Sequence, residues 1–134
     1  MRVYLDMVAD IFHIGHLNLI KRAKNLEDSV TVVVGIHSDE DVGKYKRIPI
    51  MEQEHRYQIV SSCRYVDEVI KAAPLEITEE FIKKNNIDLV VHGDDITSKI
   101  VAQHKQIKKI GKVKYLPRTE GISTTEIIEK IKKL

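Results

Sequence analysis

Val30-Thr31-Val32-Val33-Val34-Gly35-Ile36 is the stretch that decides the fold. It is β-branched almost throughout and apolar on both faces, so it belongs in the middle of a parallel sheet covered by helices on both sides. Working outward, His16–Leu26 places Leu17, Leu19, Ile20, Ala23 and Leu26 on one broad face and turns Lys21, Arg22 and Lys24 outward, which predicts a helix. Before it, Arg2–Val8 reads as the first strand. After the central strand the alternation continues: helix Glu52–Cys63, strand Val66–Ile70, helix Thr78–Asn85 with Thr78 as N-cap, strand Ile87–His92, helix Ser98–Ile110 stopped by Gly111, strand Val113–Leu116 and helix Ser123–Leu134. Strands alternating with helices in this way predict an α/β fold, a doubly wound sheet of about five parallel strands with flanking helices.

The chain has 134 residues, 43% of them apolar and 31% charged, which suits a single domain spanning 1–134. Its 22 Lys and Arg against 20 Asp and Glu leave a formal charge of +2, short of the basic excess of a nucleic-acid binder. With aromatics at 5% and no Trp, base-stacking platforms are scarce too, so no nucleic-acid partner is expected. Cys63 is the one cysteine, which rules out an internal disulfide and a multi-cysteine metal site. The first residues lack signal-peptide form and no apolar run approaches a membrane span, so the expectation is a cytoplasmic protein.

Sheets of this type bind ligands at the carboxyl ends of their strands. After the first strand, His13 and His16 share one side of a starting helical turn, and Gly15 removes bulk between them. A helix N-terminus with imidazole donors suits phosphoryl oxygens, while the same residues also serve a structural cap or a chance metal site. After the central strand, the basic stretch Gly43–Arg47 is either a loop closing over a triphosphate with Lys44, Lys46 and Arg47 or a solvated charge run. After the fourth strand, Gly93 permits close backbone approach, and Asp94 with Asp95 offers carboxylates or a helix cap. After the fifth, Arg118, Thr119, Gly121 and the hydroxyl-rich start Ser123-Thr124-Thr125 suit a second phosphate grip, although Ser123 with Glu126 also fits a capping box.

Together, His13-Ile-Gly15-His16 and Arg118-Thr-Glu-Gly-Ile-Ser-Thr-Thr125 resemble the cytidylyltransferase family, which makes CDP-linked alcohols from CTP. Gly35–Glu40, Glu54–Tyr57, Cys63–Val69 and Ala73-Pro74 agree, so the resemblance covers essentially the whole chain. It implies a Rossmann-like fold with a catalytic set of His13, His16, Lys46 and Arg118. It further implies nucleotide binding by Val8, Ala9, Asp10, Gly15, Gly93, Asp94, Thr119, Ser123 and Thr124. Asp6, Lys46, Arg56 and Tyr65 would meet the acceptor, a carboxylate and an aromatic face being suited to an ammonium ion. Mg²⁺ carried by the CTP phosphates would be the cofactor, with no metal ligand from the protein. The chemistry implied is in-line attack of an acceptor phosphate oxygen on the α-phosphorus of CTP, with pyrophosphate leaving.

The acceptor implied is phosphoethanolamine or phosphocholine. Glycerol 3-phosphate is one alternative, from the stretch Tyr115–Gly121 and the small size, and a phosphonate another, because Met7 and Ala9 stand where relatives usually carry Gly and Phe. An ATP-using enzyme of the same fold and a non-catalytic nucleotide-binding module are further alternatives, the first disfavoured by the 118–125 segment. The resemblance also implies a homodimer meeting near Arg64–Asp67. Lys130, Lys132 and Lys133 on the last helix suit an anionic surface, but a core-packed closing helix is the stronger expectation, without stable membrane association.

Overall fold

A computed structural model describes residues 1–134. The strands are β1 (Arg2–Met7), β2 (Thr31–Ile36), β3 (Glu68–Lys71), β4 (Leu89–Gly93) and β5 (Val113–Leu116). They form one sheet in the order β3-β2-β1-β4-β5, and every neighbouring pair is parallel. Strand order reverses direction between β1 and β4, so the crevice for a ligand opens above the carboxyl ends of these two.

The helices are α1 (Ile14–Lys24), α2 (Asp39–Gly43), α3 (Gln53–Ser61), α4 (Glu79–Lys84), α5 (Ser98–Gln103), α6 (Lys105–Lys109) and α7 (Thr124–Lys132). Side chains alternate across each strand, which divides the core in two. On one face Val3, Leu5, Val32, Val34 and Ile36 pack with Ile20 and Ala23 of α1 and Tyr57 and Val60 of α3. On the other, Tyr4, Val33 and Val90 pack with Ile82 of α4 and Ile107 of α6. In β2, Val32, Val33, Val34 and Ile36 are all fully buried, each worth about 1.5–3 kcal/mol relative to exposure. Gly35 completes β2 because a Cβ there would lie 1.9 Å from the Tyr4 hydroxyl, which crosses over it.

Several local details differ from the sequence reading. α1 starts at Ile14 rather than His16, because His13 serves as its N-cap. Ahead of the basic stretch, Asp39–Gly43 forms a short helix, α2, that the sequence reading does not include: the Ser38 hydroxyl accepts from the Asp41 amide at 3.1 Å, and Asp39, Glu40 and Asp41 favour the positive helix start. The single helix expected over Ser98–Ile110 breaks at His104 (φ −98°, ψ 6°) into α5 and α6. β3 is shorter than Val66–Ile70 suggested at its start. The Asp67 amide still donates to the Val32 carbonyl at 2.9 Å, but its carboxylate takes the Val32 amide at 2.8 Å and Lys24 at 3.0 Å, so the strand begins at Glu68. Finally, α7 is only half covered: Ile131 and Leu134 are exposed where a core-packed helix was expected. No helix is long and apolar enough to cross a membrane.

Candidate functional site

A cleft of about 890 Å³ opens above the carboxyl ends of β1 and β4. One wall is the tip of α1, where two histidines cap each other's backbone. The Gly15 amide donates to His13 Nδ1 at 3.0 Å, and the His13 amide donates to His16 Nδ1 at 3.1 Å. Both Nδ1 atoms therefore accept, so each neutral ring carries its hydrogen on Nε2. His13 Nε2 lies 3.3 Å from Thr124 Oγ1, whose hydroxyl in turn donates to the Asp10 carbonyl at 3.1 Å. That relay joins the tips of α1 and α7. Gly15 is dictated by packing, since a Cβ there would sit 2.8 Å from His13 Cε1.

Burial keeps both rings uncharged. It pushes His16 down to about 4, with the nearby His13 adding to the effect and Asp10 opposing it; His13 is also lowered by burial. In each ring Nδ1 builds the cap, and the His16 Nε2–H is left as a donor at the cleft wall.

The opposite wall comes from the chain after β5. Ser123 caps α7 by accepting from the Glu126 amide at 3.1 Å, which is the Ser half of the expected box. Thr119 Oγ1 accepts from Asn18 of α1 at 2.9 Å, a second tie between the walls. Arg118 lines the cleft, and its guanidinium has no carboxylate partner. Gly93, at the end of β4, leaves room that a Cβ would take from Asp95, 2.8 Å away.

A loop closes the third side. Asp10 is nearly buried and accepts from the Met51 and Ile50 amides at 2.9 Å and from Arg47 at 2.8 Å. Burial opposes its charge, but the Met51 amide, the Arg47 guanidinium and the Ile50 amide outweigh that and hold its carboxyl below the usual range. Lys46 and Arg47 line the cleft; Lys44 stands outside it beside Glu40 and Asp41. Ahead of this loop, Ala9 and Ile11 take left-handed backbone conformations (φ 59° and 49°), strain of the kind found at ligand-binding turns. Met7 itself is ordinary extended strand paired with Ile36, so the place where relatives carry Gly is not a left-handed position here.

Four sequence assignments change. Arg56 is fully buried and does not reach the cleft; its guanidinium donates to the carbonyls of Met51, Val8 and His37 and to Asp39 Oδ1 at 2.6–2.9 Å. It ties the segments after β1 and β2 together. Tyr65 lies against Lys21 in the last turn of α1, the end away from His13, and does not line the cleft. Asp94 accepts from the Arg118 amide at 3.1 Å, pinning that loop, while its neighbour Asp95 lines the cavity. Ala9 is buried beneath the cleft, next to Val8, which lines it.

The floor sets Asp6, which the resemblance assigns to the acceptor, beside histidines the sequence did not single out. Asp6 follows Tyr4 on one face of β1, and His92 follows Val90 on the same face of β4. His37 Nε2 is 3.4 Å from Asp6, and its Nδ1 is 3.0 Å from the Ala73 carbonyl. Burial disfavours a charged His37, but the bond and charge of Asp6 and the Ala73 carbonyl outweigh it and raise its pKa. Asp6, His92 and the buried His104 each offer a ligand atom within 4.8 Å of the others. His37 and His92 sit at strand ends, where a ligand was expected; His104 left no signal inside a helical pattern.

A family model described as cytidylyltransferase-like matches residues 7–130. An ethanolamine-phosphate cytidylyltransferase of Dictyostelium discoideum is 42% identical over 130 residues, covering 96% of this chain and 36% of that one. Choline-phosphate cytidylyltransferase A of Rattus norvegicus is 41% identical over 133 residues, covering 98% and 36%. The chain therefore spans about a third of the length of these curated relatives. A lipopolysaccharide core biosynthesis protein from Thermoplasma volcanium GSS1 superposes with a TM-score of 0.74 at 24% identity, covering 90% of this chain and 98% of that one, a likeness of fold.

Proposed function

The chain belongs to the cytidylyltransferase-like family, and we propose that it transfers CMP from CTP to phosphoethanolamine or phosphocholine. The observation that carries this reading is the meeting of two helix tips in one cleft, joined by His13, Thr124 and the Asp10 carbonyl. Each tip offers unpaired amides and the positive end of a helix dipole to a polyphosphate.

In this reading His13 and His16 serve the α-phosphoryl group, with the His16 Nε2–H donating to an oxygen on which charge builds. Arg118, Thr119, Ser123 and Thr124 hold the β- and γ-phosphates, and Gly93 and Val8 leave space for the nucleotide. Lys46, on the loop held by Asp10, reaches the phosphates of both substrates. Asp6 faces the amine of the acceptor, and Arg56 acts at a distance as a positioning residue. An acceptor phosphate oxygen forms the new bond to the α-phosphorus as the bond to pyrophosphate breaks. The acceptor already bears the charged oxygen, so no protein nucleophile or base is required.

Mg²⁺ fits as an ion brought by the nucleotide, where it would neutralise phosphate charge. Asp10 already accepts three N–H bonds and Asp94 holds the Arg118 amide, so these two carboxylates are engaged. The proposal includes one nucleotidyltransferase domain over 1–134, a cytoplasmic setting, and a homodimer joined near Arg64–Asp67, beside the edge strand β3. Light scattering should return twice the chain mass. For the activity, CTP or ATP is supplied with each candidate acceptor and pyrophosphate is followed. Release with CTP and an amino-alcohol phosphate is expected; release with ATP alone, or CTP binding without turnover, would refute it.

A further inference from the structure

At the floor of the cleft Asp6 and His92 form a polar triangle with His104, which is fully buried and does not itself line the cleft. The triangle is formed by a carboxylate oxygen of Asp6 and a ring nitrogen each from His92 and His104, all within 4.8 Å of one another. His104 is fully buried and its Nε2 has no hydrogen-bond partner, whereas its Nδ1 is 3.0 Å from the Tyr115 hydroxyl. A buried nitrogen left unpaired is costly, and its presence beside a ligand cleft points to a ligand that completes it. Resting on the CMP-transfer reading above, we propose that Asp6, His92 and His104 select a primary ammonium group on the acceptor, taking phosphoethanolamine or the matching aminoethylphosphonate and rejecting phosphocholine.

Three observations lead there. The first is the supply of lone pairs. His92 Nδ1 lies 2.9 Å from the Gly93 carbonyl, which only accepts, so the hydrogen is on Nδ1 and the neutral ring keeps a lone pair on Nε2. Burial lowers the pKa of His104 and keeps it uncharged; of its two neutral tautomers, the one whose Nδ1–H faces the Tyr115 hydroxyl leaves a lone pair on Nε2, and that is the form an ammonium donor would select. Asp6 adds a negative charge. A primary ammonium has three N–H donors for three such acceptors; a trimethylammonium has none.

The second is distance. Neither imidazole comes within 4.0 Å of the Asp6 carboxylate, although both lie within 4.8 Å. An ammonium nitrogen about 2.8 Å from tetrahedrally placed acceptors holds them about 4.6 Å apart. A tetrahedral zinc, with bonds of about 2.0–2.2 Å, would draw them to about 3.3 Å. The two edges that meet at Asp6, between 4.0 and 4.8 Å, have the ammonium's size.

The third is the lack of a free aromatic face. Quaternary ammonium ions are recognised over aromatic rings. Tyr45 is the tyrosine that lines the cleft, and Lys99 Nζ already stands 4.9 Å from its ring centre.

The test uses the wild-type chain with CTP and a methylation series: phosphoethanolamine, its N-methyl and N,N-dimethyl derivatives, and phosphocholine, with aminoethylphosphonate and glycerol 3-phosphate alongside. kcat/KM from pyrophosphate release should fall at each methylation and reach about a hundredfold deficit at phosphocholine, because a site built for N–H donors rejects an analogue without them. His104→Phe should raise KM for phosphoethanolamine about tenfold while leaving KM for CTP unchanged and narrowing that preference. If it does not fold, His92→Leu gives the same reading at a half-buried position. Phosphocholine used as well as phosphoethanolamine, or glycerol 3-phosphate preferred, overturns this inference and leaves CMP transfer standing. No pyrophosphate with any acceptor overturns both. One equivalent of zinc retained through dialysis and lost in His104→Phe would make the triangle a metal site and overturn it too.

Discussion

His16→Gln separates the electrostatic state of the α1 tip from its capping geometry. His16 accepts the His13 amide through Nδ1, and a glutamine at the same third helical position can accept that amide through its side-chain oxygen. The substitution therefore keeps the cap and removes the titration. In the wild type, burial first and the His13 charge second push His16 from 6.5 to about 4. The unfolded chain takes up this proton near pH 6.5 and the folded one only near 4, so the unfolded state binds more protons across that interval. Stability from the uncharged ring is complete above pH 6.5, falls as the pH drops towards 4, and is flat below. At about 1.36 kcal/mol per pH unit, the full loss is about 3 kcal/mol. Urea unfolding at pH 7, 6, 5 and 4 measures it. Other groups titrate in both proteins, so the difference between the two curves isolates His16. The wild type should lose about 3 kcal/mol more than His16→Gln between pH 7 and 4; parallel curves would show that the ring accepts a proton freely and refute the reasoning.

Gly15→Ala puts a Cβ 2.8 Å from His13 Cε1 and must shift that ring, so turnover should drop on the order of a hundredfold with little change in the thermal melt, read by pyrophosphate release beside circular dichroism. Arg56→Leu strands Asp39 and three carbonyls at a fully buried point, and urea unfolding should show a loss of about 3–5 kcal/mol. Arg56→Lys should recover little of it, since an ammonium lacks the guanidinium's forked reach. Tyr4→Phe removes a buried hydroxyl with no partner, so the unfolding free energy should hold or rise by about 1 kcal/mol; a clear fall would mean that the hydroxyl is satisfied in solution.

What the sequence disclosed and what it hid follow from the range of the forces involved. The unbroken apolar run of β2 can be satisfied only by helices on both faces, so the sheet and its alternation were legible from neighbours alone. Because all strands are parallel, their carboxyl ends share one edge, and His13, His16, Lys46, Arg118 and Ser123 converge there as their positions implied. Misassignments arose where long-range packing overrides local pattern. Arg56 carries a motif-like signature, yet its guanidinium is spent on the carbonyls of three separate segments. Tyr65 follows α3, where the chain has returned to the amino ends of the strands. α2 was readable from Ser38 and three acids but was masked by the basic stretch beyond it. The triangle of Asp6, His92 and His104 joins residues up to 98 positions apart, and no local periodicity encodes that.

The central claim is that the tips of α1 and α7 grip a single CTP. It is tested most directly by pyrophosphate formation from CTP and phosphoethanolamine in His16→Ala and Arg118→Ala, each checked for an unchanged thermal melt. Loss of a donor to developing charge costs about a hundredfold to a thousandfold, and the account predicts a fall of that order in both variants. Wild-type turnover in either folded variant would contradict it.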